Sequence, residues 1–330
     1  MPTPIDAPED VLGLPYRAET IELEPDFEGA VVTTLVSRPS ETPTTRAVLY
    51  VHGFSDYFFQ TQLAQWWTDR GYDFYALDLR KYGRSLRPHQ TPAFVTDLHQ
   101  HFEDVDAAWS RVTTRDRHTE VVVMGHSTGG LVLPLWADAR QPEELTGMVL
   151  NSPWLEFQGS TALRVAGTPL VKVVGKRKPK AEIGRDVTGF YARGLHKDFE
   201  GEWDFDLDWK PVGSMKVYTG WLRAIRIGHA RVHRGLDINA PVLVLSSDRS
   251  GHPIVMDELV HSTDIVLDVD QIRRWSVALG DHVTYVAIPG AIHDVVLSRP
   301  APRKQAYGEI DRWVRAYVEE PSTAEAGQTV

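Results

Sequence analysis

The chain has 330 residues and no cysteine, and its 35 lysines and arginines against 45 aspartates and glutamates leave a formal charge of −10. That balance argues against an extended cationic surface for nucleic acid, and the missing thiols exclude disulfides, thiolate metal sites and a cysteine nucleophile. With 42% hydrophobic and 24% charged residues, the composition is that of a globular protein able to bury a large core.

In chain order, the N-terminal MPTPIDAPEDVLGLPY is acidic and proline-rich and lacks the basic start and apolar stretch of a secretory signal. No run approaches the roughly 18 apolar residues of a transmembrane helix, so a cytoplasmic protein without a membrane span is expected. Apolar runs rich in Val, Ile and Tyr predict strands over 21–25, 30–38, 46–53, 73–79, 119–125, 147–153, 241–247 and 283–290. The first two alternate, as an antiparallel edge does, whereas most of the others are continuously apolar and suit strands covered on both faces. Amphipathic stretches between them predict helices over 60–70, 96–112, 130–140, 267–279 and 302–318. The βαβα rhythm defines the α/β class, with a mostly parallel, doubly wound sheet. It breaks once, where roughly 85 residues separate two strands; a loop of that length is improbable in a compact domain, so residues 154–237 are read as an inserted, mostly helical subdomain. The core is then 1–153 together with 238–330, and the last ten residues, PSTAEAGQTV, read as a disordered tail.

The run VVVMGHSTGG, residues 121–130, carries chemistry. Gly125, Ser127 and Gly129 fit G-x-S-x-G at the junction of a buried strand and a helix, where a sharp turn lifts the serine hydroxyl clear of the sheet and bare glycines let the backbones approach. The positive end of the following helix faces the serine, a favourable place for an oxyanion. Such a hydroxyl needs a base and a group to orient it. In this architecture the acid follows a late strand and the histidine the last one, which makes His293 in GAIHDVVLS the base. Two acids remain open: Asp248, immediately after PVLVLSS, and Asp264, beyond a further 15 residues in STDIVLDVDQI, where Asp264 or Asp268 would otherwise serve as a helix cap.

VLYVHGFSDY, RGYDFYALDLRKYGRS, GHSTGGLV, DIVLDVDQI and GAIHDVVLS, in this order, resemble the segments of serine α/β-hydrolases of the monoacylglycerol lipase and lysophospholipase group, also labelled serine aminopeptidase-like. The resemblance implies an α/β-hydrolase fold in which residues 154–237 cap the site. It also implies Asp264 as the acid, about thirty residues before His293 and four before Asp268, with Asp248 kept as the alternative. The oxyanion donors it implies are the backbone N–H groups of Phe54 and Thr128, with Gly53 allowing close approach and His52 and His126 as packed neighbours. Where the family carries Gly-His, this chain has Lys81-Tyr82.

The implied activity is hydrolysis of a carboxylic ester, a monoacylglycerol or lysophospholipid among them, without metal or organic cofactor. A peptidase, lactonase or carbon–carbon hydrolase would use the same triad, and a non-catalytic binding protein is the alternative from another class. For a peptidase, Glu200, Glu202 and the three alternating aspartates Asp204, Asp206 and Asp208 would be the anchors for a substrate ammonium. His99 and His101 do not share a helix face, and Asp204, Asp206 and Asp208 lack the glycine and closing glutamate of a calcium loop, so neither set reads as a metal site. The basic run 174–180 offers a peripheral contact to an anionic lipid surface, and Tyr191, Trp203, Tyr218 and Trp221 read as core of the insert.

Overall fold

A computed structural model describes residues 7–158, 173–184 and 187–319; the tail at 321–330 lies outside them, as does 159–172 of the insert. The strands are β1 (Arg17–Asp26), β2 (Gly29–Arg38), β3 (Arg46–Val51), β4 (Asp73–Asp78), β5 (Glu120–His126), β6 (Leu145–Asn151), β7 (Glu182–Ile183), β8 (Val217–Tyr218), β9 (Val242–Ser247) and β10 (Val283–Ile288). Eight of them form one sheet in the order β1-β2-β4-β3-β5-β6-β9-β10, while β7 and β8 pair separately. β1, β2 and β4 are joined antiparallel, and every other pairing in the large sheet is parallel. The eight runs read as strands all lie in this sheet, and the alternating pair forms its antiparallel edge.

The central strands are apolar without interruption because both faces are covered. Leu49 and Val51 of β3 and Val123 of β5 face a layer containing Phe102 of α2 (Gln100–Ser110) and Leu131 and Trp136 of α3 (Gly129–Arg140). Val48, Tyr50 and Met124, one residue out of phase, pack with Leu63 and Trp67 of α1 (Thr61–Thr68) and Trp313 of the C-terminal helix. Strand side chains alternate between faces, so a polar residue at either phase would be buried. Each fully buried Leu or Val here contributes about 1.5–3 kcal/mol.

Two helices start later than expected by two residues or more, and local side chains explain both. α2 begins at Gln100 rather than 96, because the Asp97 carboxylate accepts the His99 N–H at 3.0 Å and holds a turn there. The helix expected from 267 begins at Val269, since Asp264 takes the Leu267 N–H at 2.7 Å and Asp268 caps the first turn by accepting from Asp270 N at 3.1 Å. The described part of the insert is less helical than expected. Apart from 173–177, it contains α4 (Phe190–Leu195), the small β7–β8 ladder, α5 (Thr219–Val232) and a largely irregular run between α4 and β8. α6 (Glu258–Ser262), α7 (Val269–Ser276) and α8 (Pro300–Tyr317) complete the fold.

From β3 the chain steps to β4 on one side and then to β5 on the other. The loops after β3 and β5 therefore diverge, leaving a crevice at the carboxyl ends of the strands, where α/β sheets bind ligands.

His229 on α5 ties that helix to the first residue of the insert by hydrogen-bonding the Trp154 carbonyl through Nε2 at 2.9 Å. Burial, then the Arg226 charge, push its pKa down from 6.5 to about 3. As pH falls, the unfolded chain takes up this proton first, so the stabilisation is complete above about 6.5 and is lost progressively toward about 3. Urea unfolding at about pH 7 and about pH 4 should show that loss, with a smaller difference in His229→Gln.

Candidate active site

β5 ends at His126 and α3 begins at Gly129, so Ser127 and Thr128 make the whole turn. Ser127 is held at φ +51, a left-handed conformation that costs a non-glycine residue about 1–3 kcal/mol. Its N–H is fixed on the Asn151 carbonyl at 3.1 Å, and its own carbonyl accepts Trp154 N–H at 2.9 Å. The flanking glycines answer to contact distances. A Cβ on Gly125 would stand 2.7 Å from the Gly129 carbonyl oxygen, and one on Gly129 would stand 2.5 Å from that of His52 and also strike that of Val51. Backbone cannot swing aside as a side-chain tip does. Gly129→Ala should therefore lower unfolding free energy by about 3 kcal/mol or more, or yield insoluble protein, as a urea titration would show.

His293 lies in the loop after β10. Its Nδ1–H donates to Asp264 Oδ2 at 2.8 Å, which leaves Nε2 as the basic nitrogen. Asp264 is fully buried, and its other oxygen accepts the N–H groups of Val266 and Leu267 at 2.8 and 2.7 Å. The long stretch between β9 and Asp264 closes on itself: Asp264 N–H bonds the Arg249 carbonyl at 3.1 Å, and Gly251 N–H bonds the Asp264 carbonyl at 2.9 Å. The additional residues, α6 among them, thus form an excursion that returns Asp264 to the sheet end. Asp248 lies apart, accepting Gly290 N–H at 3.2 Å and lining a separate polar cavity with Asp268.

After β3, His52 shapes the loop, Nε2 accepting Leu79 N–H at 3.1 Å while Nδ1–H donates to the Gly53 carbonyl at 2.7 Å. A Cβ on Gly53 would approach Ser127 Cβ to 2.9 Å, so the backbone leading into Phe54 lies directly against the serine. In place of the family's Gly-His, buried Lys81 forms ion pairs with Asp26 and Glu28 at 2.5 and 2.6 Å, and the Tyr82 ring lies 4.9 Å from His52. Glu28, which also bonds Lys180 at 2.6 Å, is held at a pKa of about 2, its hydrogen bonds to the two lysines outweighing burial.

Ser127, Thr128, Phe54, His126 and His293 all line one cavity of about 560 Å³. Trp154, Trp221 and Tyr191 make part of its wall, so two of the four aromatics read as insert core also face the cavity, Trp221 while remaining buried in the core. The other two are packed elsewhere: Trp203 donates to the Leu297 carbonyl at 2.9 Å, and Tyr218 meets Phe94 edge-on. Tyr191 also stands edge-on to His293 at 5.7 Å, and burial, then Asp294, push its phenol well above its ordinary pKa. His126 is buried 4.8 Å from the His293 ring, and desolvation lowers its pKa and favours the neutral form.

Sequence reasoning missed two polar groups beside these residues. Asn151 donates to Asp294 at 2.6 Å and accepts Val295 N–H at 3.0 Å, tying the serine turn to the histidine loop. Asp56 bonds Lys210 of the insert at 2.8 Å in the cavity wall. Neither pair has a spacing signature, because their members lie 143 and 154 residues apart. The features set aside as metal sites are otherwise engaged: buried His101 meets Asp104 at 3.3 Å, and Asp206 accepts Asp208 N–H at 2.7 Å in a turn.

The sheet order, the serine turn at its crevice and the cavity above define an α/β-hydrolase. Residues 42–298 match the profile of the family described as serine aminopeptidase, S33, and the chain belongs to that family. Similar solved folds include a soluble variant of monoglyceride lipase from Saccharomyces cerevisiae, with TM-score 0.67 and 16% identity over 92% of this chain and 96% of that one. A monoacylglycerol lipase from Paleococcus ferrophilus gives 0.63 and 19% over 86% and 99%, and a thermostable carboxyl esterase from Bacillus coagulans gives 0.64 and 14% over 92% and 99%. A phospholipase of Bacillus subtilis, YtpA, is 30% identical over 112 residues, which span 34% of this chain and 41% of that relative. Among the described residues no helix is long and apolar enough to cross a membrane.

Proposed function

We propose that the protein is a serine hydrolase that cleaves carboxylic esters through an acyl-enzyme. The observation that carries this reading is the 2.8 Å bond from His293 to buried Asp264 at the cavity that also holds Ser127 on its left-handed turn. Ser127 attacks the ester carbonyl while His293 Nε2 takes its proton. Asp264 keeps the imidazole in the required tautomer and offsets its developing charge, and the N–H groups of Phe54 and Thr128 receive the oxyanion. His293 then protonates the leaving alcohol, and water repeats the path to release the acid.

The insert 154–237 acts as a lid that supplies much of the cavity wall and selects the acyl and alcohol groups. The apolar wall favours a medium or long acyl chain, as in a monoacylglycerol or lysophospholipid, in keeping with the lipase, esterase and phospholipase relatives. An aminopeptidase is disfavoured by charge. Asp56 is the acidic side chain of the described wall and is neutralised by Lys210, while Glu202 is drawn to Arg303 at 2.7 Å. A fluorophosphonate probe should label Ser127 in the native protein, and p-nitrophenyl esters from acetate to palmitate should turn over beside monoglycerides. Absence of labelling would favour a binding protein, and turnover of an aminoacyl anilide alone would overturn the esterase reading.

A further inference from the structure

Four consecutive residues of the loop after β3, starting with Phe54, are each held by the insert. The Phe54 ring lies 4.4 Å from that of Trp221 on α5. Ser55 Oγ accepts Met215 N–H at 2.9 Å in a buried bond. Asp56 Oδ1 bonds Lys210 Nζ at 2.8 Å, with both side chains more than nine-tenths buried. Tyr57 Oη accepts Asp206 N–H at 2.7 Å. Ser55 has φ +54, so the chain reverses sharply one residue after the N–H assigned to the oxyanion, in a conformation that a free loop would avoid.

A hinged cover would rest on rings and rim; here backbone N–H groups and a buried charge of the insert bond directly to the loop. We propose that the segment 206–221 is a built-in brace of the oxyanion hole, with Lys210 and Ser55 acting as positioning residues that aim the Phe54 N–H. This inference rests on the ester hydrolase reading of the site. The brace acts on the transition state, because an N–H displaced by a fraction of an ångström still tolerates a ground-state carbonyl but holds a tetrahedral oxyanion poorly. Lys210 is the telling residue: the segment around it is irregular, so the buried ion pair fixes its register against the loop.

Lys210→Met should lower kcat by roughly tenfold with KM within about twofold, by the same factor for acetate and octanoate esters, and should weaken a boronic acid inhibitor in parallel with kcat/KM. Lys210→Arg, which keeps the charge and a donor, should recover most of that loss. Ser55→Ala, which buries no unpaired charge, should show the same pattern at roughly threefold and provides the test if Lys210→Met does not fold. A folded Lys210→Met or Ser55→Ala with wild-type kcat on every ester would overturn the brace, as would a loss confined to one acyl length, which would make Lys210 a substrate contact. If the wild type takes no fluorophosphonate, the hydrolase reading falls and the brace with it; labelled wild type beside unaffected variants removes the brace alone.

Discussion

Ser127→Ala is expected to lower kcat for a short p-nitrophenyl ester by about a millionfold while the protein stays folded. The hydroxyl is the group proposed to form the covalent bond, and members of such a triad act as a unit, so little remains once it is gone. What survives is acceleration from binding and the oxyanion donors, roughly a thousandfold over water. Stability should hardly respond, because alanine meets the same restriction at φ +51 as serine does. Ser127→Gly separates the two effects. It should be equally inactive yet more stable by about 1 kcal/mol, since only glycine adopts that backbone without strain. Turnover assays and urea titrations of the three proteins check both statements. An active alanine variant would assign the chemistry to another group, and an unstabilised glycine variant would mean that the turn stores no strain.

The sheet was legible because burial on two faces leaves a mark that no loop copies: Val121–Met124 and Val242–Leu245 are apolar at every position. The serine turn was legible for a different reason. Three residue types at fixed spacing are demanded by contacts within a few residues, as the 2.7 Å approach at Gly125 illustrates. The position of Asp264 was harder to read. It depends on the bonds from Arg249 and Gly251 that fold a long excursion back to the sheet, and nothing in the spacing encodes them. The insert was the least legible part. Its run between α4 and β8 is held by contacts to the core, such as Tyr57 with Asp206 and Trp203 with Leu297, rather than by a repeating pattern of its own. Periodicity reveals elements that pack by period, and this run does not.

Asp264→Asn should lower kcat by about ten-thousandfold, and Asp248→Asn should leave it within about twofold. The difference follows from what each carboxylate touches. Asp264 accepts two backbone N–H groups on Oδ1, at 2.8 and 2.7 Å, and these require an oxygen. An asparagine placed there keeps its carbonyl on that side and turns its NH2 toward His293. The imidazole must then accept at Nδ1 and carry its proton on Nε2, the tautomer that cannot receive a proton from serine. The substitution is isosteric and leaves both backbone bonds in place, so the loss should appear in kcat rather than in the unfolding midpoint. Asp248 accepts a single N–H, from Gly290 at 3.2 Å, and an asparagine carbonyl accepts it as well. If the two effects were reversed, with Asp248→Asn inactive and Asp264→Asn near wild type, the loop would have to rearrange in solution to bring the other carboxylate to His293. The bonds that hold Asp264 at the sheet end would then have to break, which hydrogen exchange at Val266 and Leu267 would reveal.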